Sequence, residues 1–200
     1  MESEILKRTL ELAHSIGVLR PRDLRQYGIP TDYLVRLYQR GYLDRIARGL
    51  YVLAEASPSE NRTLAEVCKR VPNGVVCLLS ALRYHGVTTQ LPSEVWLAIA
   101  SNARRPREPR LPIKIVHLSG AALVEGVEEH DVEGVGVRVY GVAKTVADCF
   151  KHRNKIGVDI AVEALRDCLE QKRCSRDDIW KYAKVCRVAN VMRPYLEAMV

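Results

Sequence analysis

No stretch of this chain is apolar for long enough to cross a bilayer. The strand-like run 95–100 falls far short of the roughly 20 apolar residues a membrane helix needs, so no membrane partner is expected. The start, Met1-Glu2-Ser3-Glu4, is acidic and lacks the apolar core of a signal peptide; the expectation is a cytoplasmic protein. None of the cysteines (Cys68, Cys77, Cys149, Cys168, Cys174 and Cys186) is spaced as Cys-x-x-Cys, and no pair of histidines completes a zinc pattern. Reduced, buried thiols are expected. There is no Walker loop, no Gly-rich dinucleotide fingerprint and no Gly-x-Ser-x-Gly elbow. An Asp…Glu-x-Lys nuclease core is also missing, since Val95-Trp96 follows Glu94 and the run 113–118 carries only Lys114. No catalytic residue, cofactor or metal is assigned, and the protein is expected not to be an enzyme. The chain has no internal repeat and no low-complexity tract.

What the chain does have is an ordinary apolar fraction of 48% and a net charge of +7, with a pI near 9.2. The first is enough for real cores, and the second favours acidic partners. Its 200 residues suit one large domain or two small ones.

The most informative segment is 17–53, GVLRPRDLRQYGIPTDYLVRLYQRGYLDRIARGLYVL. Before it, Ile5, Thr9, Leu12, Ala13 and Ile16 form one helical stripe. Arg20-Pro21-Arg22-Asp23-Leu24 opens a short second helix, with proline where a missing N–H costs little, and Gly28 ends it. Thr31 is the expected N-cap of a third helix. On that helix Leu34, Leu37 and Tyr38 point one way and Asp32, Arg36, Gln39 and Arg40 the other, with Tyr33 at the border. Gly41 stops it. Residues 42–46 and 50–53 then form a hairpin around Ala47-Arg48-Gly49. Helix, turn, helix and two-stranded wing make a winged helix-turn-helix, whose usual partner is double-stranded DNA.

The segment holds seven arginines and no lysine against three aspartates, an excess of four positive charges. Arginine forks suit phosphate and base edges. Arg36 and Arg40, four apart, share a face and are expected to meet guanine or phosphate, with Gln39 reading adenine. Thr31 and Tyr33 are placed to donate to phosphate near the helix start. Arg45 and Arg48 sit on the wing, and Arg22 and Arg25 on the helix before the turn. A winged helix that only docks other proteins, with Arg36 or Arg40 paired to Asp32 or Asp44, is the competing reading.

AEASPS at 54–59 marks the expected boundary between a DNA-binding domain over 1–55 and a second domain over 60–200. Beyond it, helices are expected over 60–70, 80–85, 143–153, 159–171 and 176–185, and strands over 75–78, 94–100, 113–118, 127–132 and 135–140. Strands cluster before helices, so the fold class is α+β: a winged helix-turn-helix followed by a mixed α/β domain ending in helices. Ser175-Arg176-Asp177-Asp178 reads as a capping box with Asp in place of Glu.

Several clusters invite chemistry. In Glu128-Glu129-His130-Asp131-Val132-Glu133, strand alternation separates Glu129, Asp131 and Glu133 from Glu128 and His130, so a solvated hairpin face is expected rather than a metal site. Ser80 with His85 lacks an elbow and an orienting acid; Ser80 is expected to cap a helix. Lys144 and Asp148 are spaced for an ion pair, serving either a structural role, with Asp148 fixing an arginine such as Arg83, or an interaction surface. Arg104, Arg105, Arg107 and Arg110 crowd a proline-punctuated loop and form an auxiliary nucleic-acid contact or a solvated loop. Lys151, His152, Arg153 and Lys155 form a second basic group.

With these residues in view, the chain resembles the AbiEi antitoxins of type IV toxin–antitoxin systems. In the first domain the likeness rests on Arg22-Asp23-Leu24, on Leu34-Val35-Arg36-Leu37 and on Gly41-Tyr42-Leu43 through Arg48-Gly49-Leu50-Tyr51. In the second it rests on Leu79-Ser80-Ala81-Leu82-Arg83-Tyr84-His85-Gly86, on Pro92-Ser93-Glu94-Val95-Trp96 and on Ala143-Lys144-Thr145-Val146-Ala147-Asp148. The resemblance implies a repressor of its own operon that binds inverted repeats in double-stranded promoter DNA. It also implies an antitoxin that counteracts a nucleotidyltransferase-type AbiEii toxin without needing a stable complex, with antitoxicity linked to the C-terminal domain. A ligand-sensing regulator and a nucleic-acid-processing enzyme remain as alternatives.

Overall fold

The computed structural model describes residues 2–54, 62–106 and 112–199. They build a mixed α+β protein of two compact units. One comprises residues 1–72 with 131–137, the other 73–130 with 138–200.

The first unit opens with α1 (Glu2–Ile16). Thr9 and Ala13 are buried on its inner stripe, flanked by half-buried Ile5, Leu12 and Ile16. A 3-10 helix (Pro21–Tyr27) follows, entered through Pro21 and closed by Gly28 at φ 67°. Then come α2 (Tyr33–Gln39), the hairpin strands β1 (Leu43–Ala47) and β2 (Leu50–Leu53), and α3 (Arg62–Arg70). Leu19 bridges Tyr51 through two backbone hydrogen bonds, of 2.8 and 3.0 Å, adding a third rung to the wing. Leu19, Leu24, Ile29, Leu34, Leu37, Leu43 and Tyr51 meet in one core. Two α2 expectations are corrected. Tyr33 is buried, at 4% exposure, rather than a border residue. Tyr38 is 44% exposed and lies edge-on to Tyr51, with ring centroids 6.3 Å apart.

The second unit is built on one sheet, ordered β5-β4-β3-β7-β6: β3 (Val75–Val76), β4 (Val95–Ala100), β5 (Ile113–Leu118), β6 (Val127–Val132) and β7 (Val135–Tyr140), of which residues 131–137 group with the first unit. β3 pairs antiparallel with β4 and parallel with β7, and β4 pairs parallel with β5. Interior β4 reads VWLAIA and is buried almost throughout, as a strand covered on both faces must be. Edge strand β6 reads VEEHDV, and its charges blunt an exposed edge.

The helices are α4 (Leu78–Tyr84), α5 (Ala121–Val124), α6 (Val142–Lys151), α7 (Arg153–Ile156), α8 (Val158–Glu170), α9 (Arg176–Val185) and α10 (Ala189–Ala198). α6 is buried over Ala143 to Phe150 and packs against α4, α8, α9 and α10. The Ser175 capping box opens α9, with reciprocal hydrogen bonds of 3.1 Å to Asp178.

Three details depart from the sequence expectations. The strand over 75–78 stops at Val76, because Leu78 turns to φ 47° and starts α4. Ser80 lies inside α4 rather than capping it, and its hydroxyl accepts from the Trp96 N–H at 2.9 Å. The division of the chain also differs from a cut at 55–60: α3 and the 131–137 turn group with the first unit. Most of the expected boundary segment lies outside the described residues.

Candidate nucleic-acid interface

α2 is a seven-residue helix with a buried side and an exposed one. Tyr33, Leu34 and Leu37 face the core, while Val35, Arg36, Tyr38 and Gln39 are exposed, followed by exposed Arg40. The helix begins after Asp32, not Thr31, and neither side chain supplies a capping hydrogen bond; Thr31 is half-buried in the preceding turn. Asp32 Oδ2 instead accepts from Arg36 Nη2 at 2.7 Å, both side chains being 59% exposed. Of the two pairings weighed from sequence for Arg36, this is the one formed.

The wing carries Arg45 and Arg48, both exposed. β1 pairs antiparallel with β2, and its register slips between Arg45 and Ala47, a bulge that sharpens the local twist. Gly49 adopts φ 73°, which lets the hairpin turn at Arg48. Arg22 and Arg25 are exposed on the 3-10 helix. Six exposed arginines therefore stand on this unit between residues 17 and 53, against exposed Asp32 and Asp44.

Asp23 and Arg20 leave that charge balance. The Asp23 carboxylate accepts from the Arg20 backbone N–H at 2.8 Å and pairs with Lys69 Nζ at 2.8 Å. Lys69 Nζ also donates to the Val18 carbonyl, and Arg20 Nη1 donates to the Lys69 carbonyl at 2.6 Å. Burial pushes the Lys69 ammonium down from the usual lysine range, while the bond to Asp23 works the other way. Burial likewise lowers the Arg20 guanidinium. This half-buried knot, with Lys69 buried at its centre, fixes the entry to the helix-turn-helix on α3. Sequence reading missed it because Lys69 is remote in the chain and nothing in its spacing points to Asp23.

The other sequence-predicted residues lie in the second unit. Arg104 and Arg105 are exposed, while Arg107 and Arg110 lie outside the described residues. Lys144 and Asp148 are buried, at 0% and 1% side-chain exposure, and paired at 2.5 Å. Asp148 Oδ1 also accepts from the Cys186 thiol at 3.1 Å. The partner of Asp148 is thus Lys144 rather than Arg83, which is exposed, and neither member of the pair reaches a surface. His130 meets Glu128 at 3.1 Å on the polar edge strand, and among the described residues no three His, Cys, Asp or Glu side chains converge as metal ligands.

Residues 7–54 match the family model described as "Transcriptional regulator, AbiEi antitoxin". The amino-terminal region is AbiEi-like. That match takes in α1 from residue 7, the helix-turn-helix and the wing. No curated protein matches the chain. Among solved structures it is similar to the RV2827C protein from Mycobacterium tuberculosis, with a TM-score of 0.60 at 17% identity over 89% of this chain and 71% of that one. At that identity the likeness is one of fold. No helix among the described residues is long and apolar enough to cross a membrane.

Proposed function

We propose that this AbiEi-like protein is a DNA-binding transcriptional repressor that acts as the antitoxin of a type IV toxin–antitoxin system. In this reading α2 enters the major groove of inverted repeats in its own promoter, and Arg45 and Arg48 on the wing follow the neighbouring backbone or minor groove. Arg22, Arg25 and Arg40 neutralise phosphate or meet base edges. The observation that carries the reading is the two-sidedness of α2: three residues lock it to the core, and the opposite side offers Arg36, Gln39 and Arg40 to solvent. A solvated surface has no need of an all-arginine cation set, whereas phosphate and guanine edges match its forked donors. Arg104 and Arg105 supply auxiliary backbone contacts. The second unit, through residues not assigned individually, counteracts a nucleotidyltransferase-type toxin.

Gel shifts on the duplex upstream of the gene test this. Arg36→Ala with Arg40→Ala is expected to abolish sequence-specific retardation, while Arg105→Ala weakens binding to every duplex alike. Unchanged specific binding in the double variant removes the DNA-reading proposal. For the antitoxin arm, co-expression is expected to relieve growth arrest caused by a nucleotidyltransferase encoded beside the gene; persistent arrest removes that arm.

A further inference from the structure

Two exposed residues of the α2 face do not fit a plain phosphate-binding surface. Asp32 brings negative charge to the N-terminal end of a cationic helix face, where it opposes binding to a polyanion. Val35 is apolar and β-branched, yet 41% exposed on a short helix where straight-chain polar residues form helix more readily. Asp32 stands three and four residues before Val35 and Arg36, and these stand four and three before Gln39, so on a 3.6-residue helix the four share one side.

The Asp32–Arg36 bond adds little stability, because an exposed i,i+4 pair is worth only about 0.3–0.5 kcal/mol. Its effect is on geometry. With one Nη2 hydrogen engaged at 2.7 Å on a side chain 59% exposed, the bond biases the guanidinium plane, and the other four N–H donors are not taken up by Asp32. A guanine presents O6 and N7 as a matched pair of acceptors, so a pre-aligned fork selects guanine where a mobile one also accepts phosphate. Val35, one turn before Gln39, is the complement of an A·T pair: the amide meets adenine N6 and N7, and the isopropyl group meets the thymine C5-methyl.

Resting on the proposed DNA-binding function, we propose that α2 reads a G·C pair beside an A·T pair. Asp32 is the positioning residue for Arg36 on the guanine, and Val35 is the contact for the thymine methyl. The preferred duplex is selected from a randomised pool with the full chain, and its affinity is measured by fluorescence anisotropy. Replacing the read thymine by uracil is expected to weaken binding about fourfold, the transfer free energy of one methyl group, and to have no effect on Val35→Ser. Replacing the read guanine by 7-deazaguanine is expected to cost the wild type roughly tenfold. The same change costs Asp32→Asn markedly less, while that variant's affinity for random duplex does not fall. Thermal melting checks that both surface variants are folded. A wild type indifferent to uracil at every position overturns the Val35 contact, and an Asp32→Asn variant that discriminates guanine as well as the wild type overturns the positioning role. Should the pool yield no preferred sequence, the DNA-reading function fails and this inference with it; specific binding that ignores both substitutions sinks the inference alone.

Discussion

At the scale of single residues, the most consequential side chains of the second unit are Lys144 and Asp148. Two opposite charges out of contact with water are tolerable only if each finds enough partners. Here Asp148 takes Lys144 at 2.5 Å and the Cys186 thiol at 3.1 Å, and the ammonium also lies 4.0 Å from the centroid of the Tyr140 ring. Burial pushes the Cys186 thiol up to about 12, which keeps it a donor. Removing one partner strands the other: Asp148→Asn or Lys144→Met is expected to cost about 3–5 kcal/mol in urea denaturation. Lys144→Met combined with Asp148→Leu should recover most of that loss, and a double variant as unstable as the singles contradicts the account. Histidines set the response to acid. Burial holds the imidazoles of His85 and His152 below the usual range, outweighing the Tyr140 carbonyl at His85 and Asp148 at His152. Their folded-state values lie below the unfolded value of about 6.5, so the unfolded chain takes up protons first as pH falls. Stability is expected to be full above that pH and to decline as pH drops through 6.5 and below. The urea midpoint should therefore be lower at pH 5.5 than at pH 7.5; a midpoint that holds or rises contradicts it.

At the scale of elements, tight turns decide the most. The end of α1 and the β6–β7 turn approach backbone to backbone within the first unit: a Cβ on Gly134 would stand 1.8 Å from the Ile16 carbonyl oxygen, and one on Gly17 2.0 Å from that of Glu133. Gly28, also at positive φ, has nothing within 4 Å of such a Cβ. Gly28→Ala is therefore expected to cost about 1 kcal/mol, the left-handed penalty alone. Gly134→Ala adds a backbone displacement of roughly another 1–3 kcal/mol. Equal losses in thermal or urea melting would contradict the close approach. The same scale shows what was legible in the sequence. The stripe over 5–16, the capping box at Ser175 and the strand runs over 113–118, 127–132 and 135–140 are local patterns, and they predict their elements. α10 was not legible because Pro194 lies inside it, where proline normally breaks a helix. α7 was hidden because the pattern over 143–153 runs on past His152, where the structure breaks and starts again. Tyr33 was misplaced because its hydroxyl reads as a surface group, whereas a helix of only seven residues needs 33, 34 and 37 together to hold it to the core. The Asp23–Lys69 knot depends on a contact across the fold that no spacing rule reaches.

At the scale of the whole molecule, charge carries the functional account. Net charge of +7 describes a general preference for acidic partners. The six exposed arginines between residues 17 and 53, against exposed Asp32 and Asp44, are what turn that preference into a surface. Each phosphate neutralised should add about 0.9 to the slope of log affinity against log salt. Arg45→Ala and Arg48→Ala on the wing should each lower that slope by about one without altering the preferred sequence, as expected for phosphate contacts. The most direct measurement is amide hydrogen exchange of the full chain with and without its selected duplex. The account predicts protection concentrated in α2 and the β1–β2 wing, with α4, α6 and α9 unchanged. Protection confined to the second unit, with residues 32–53 exchanging as in the free protein, would contradict it.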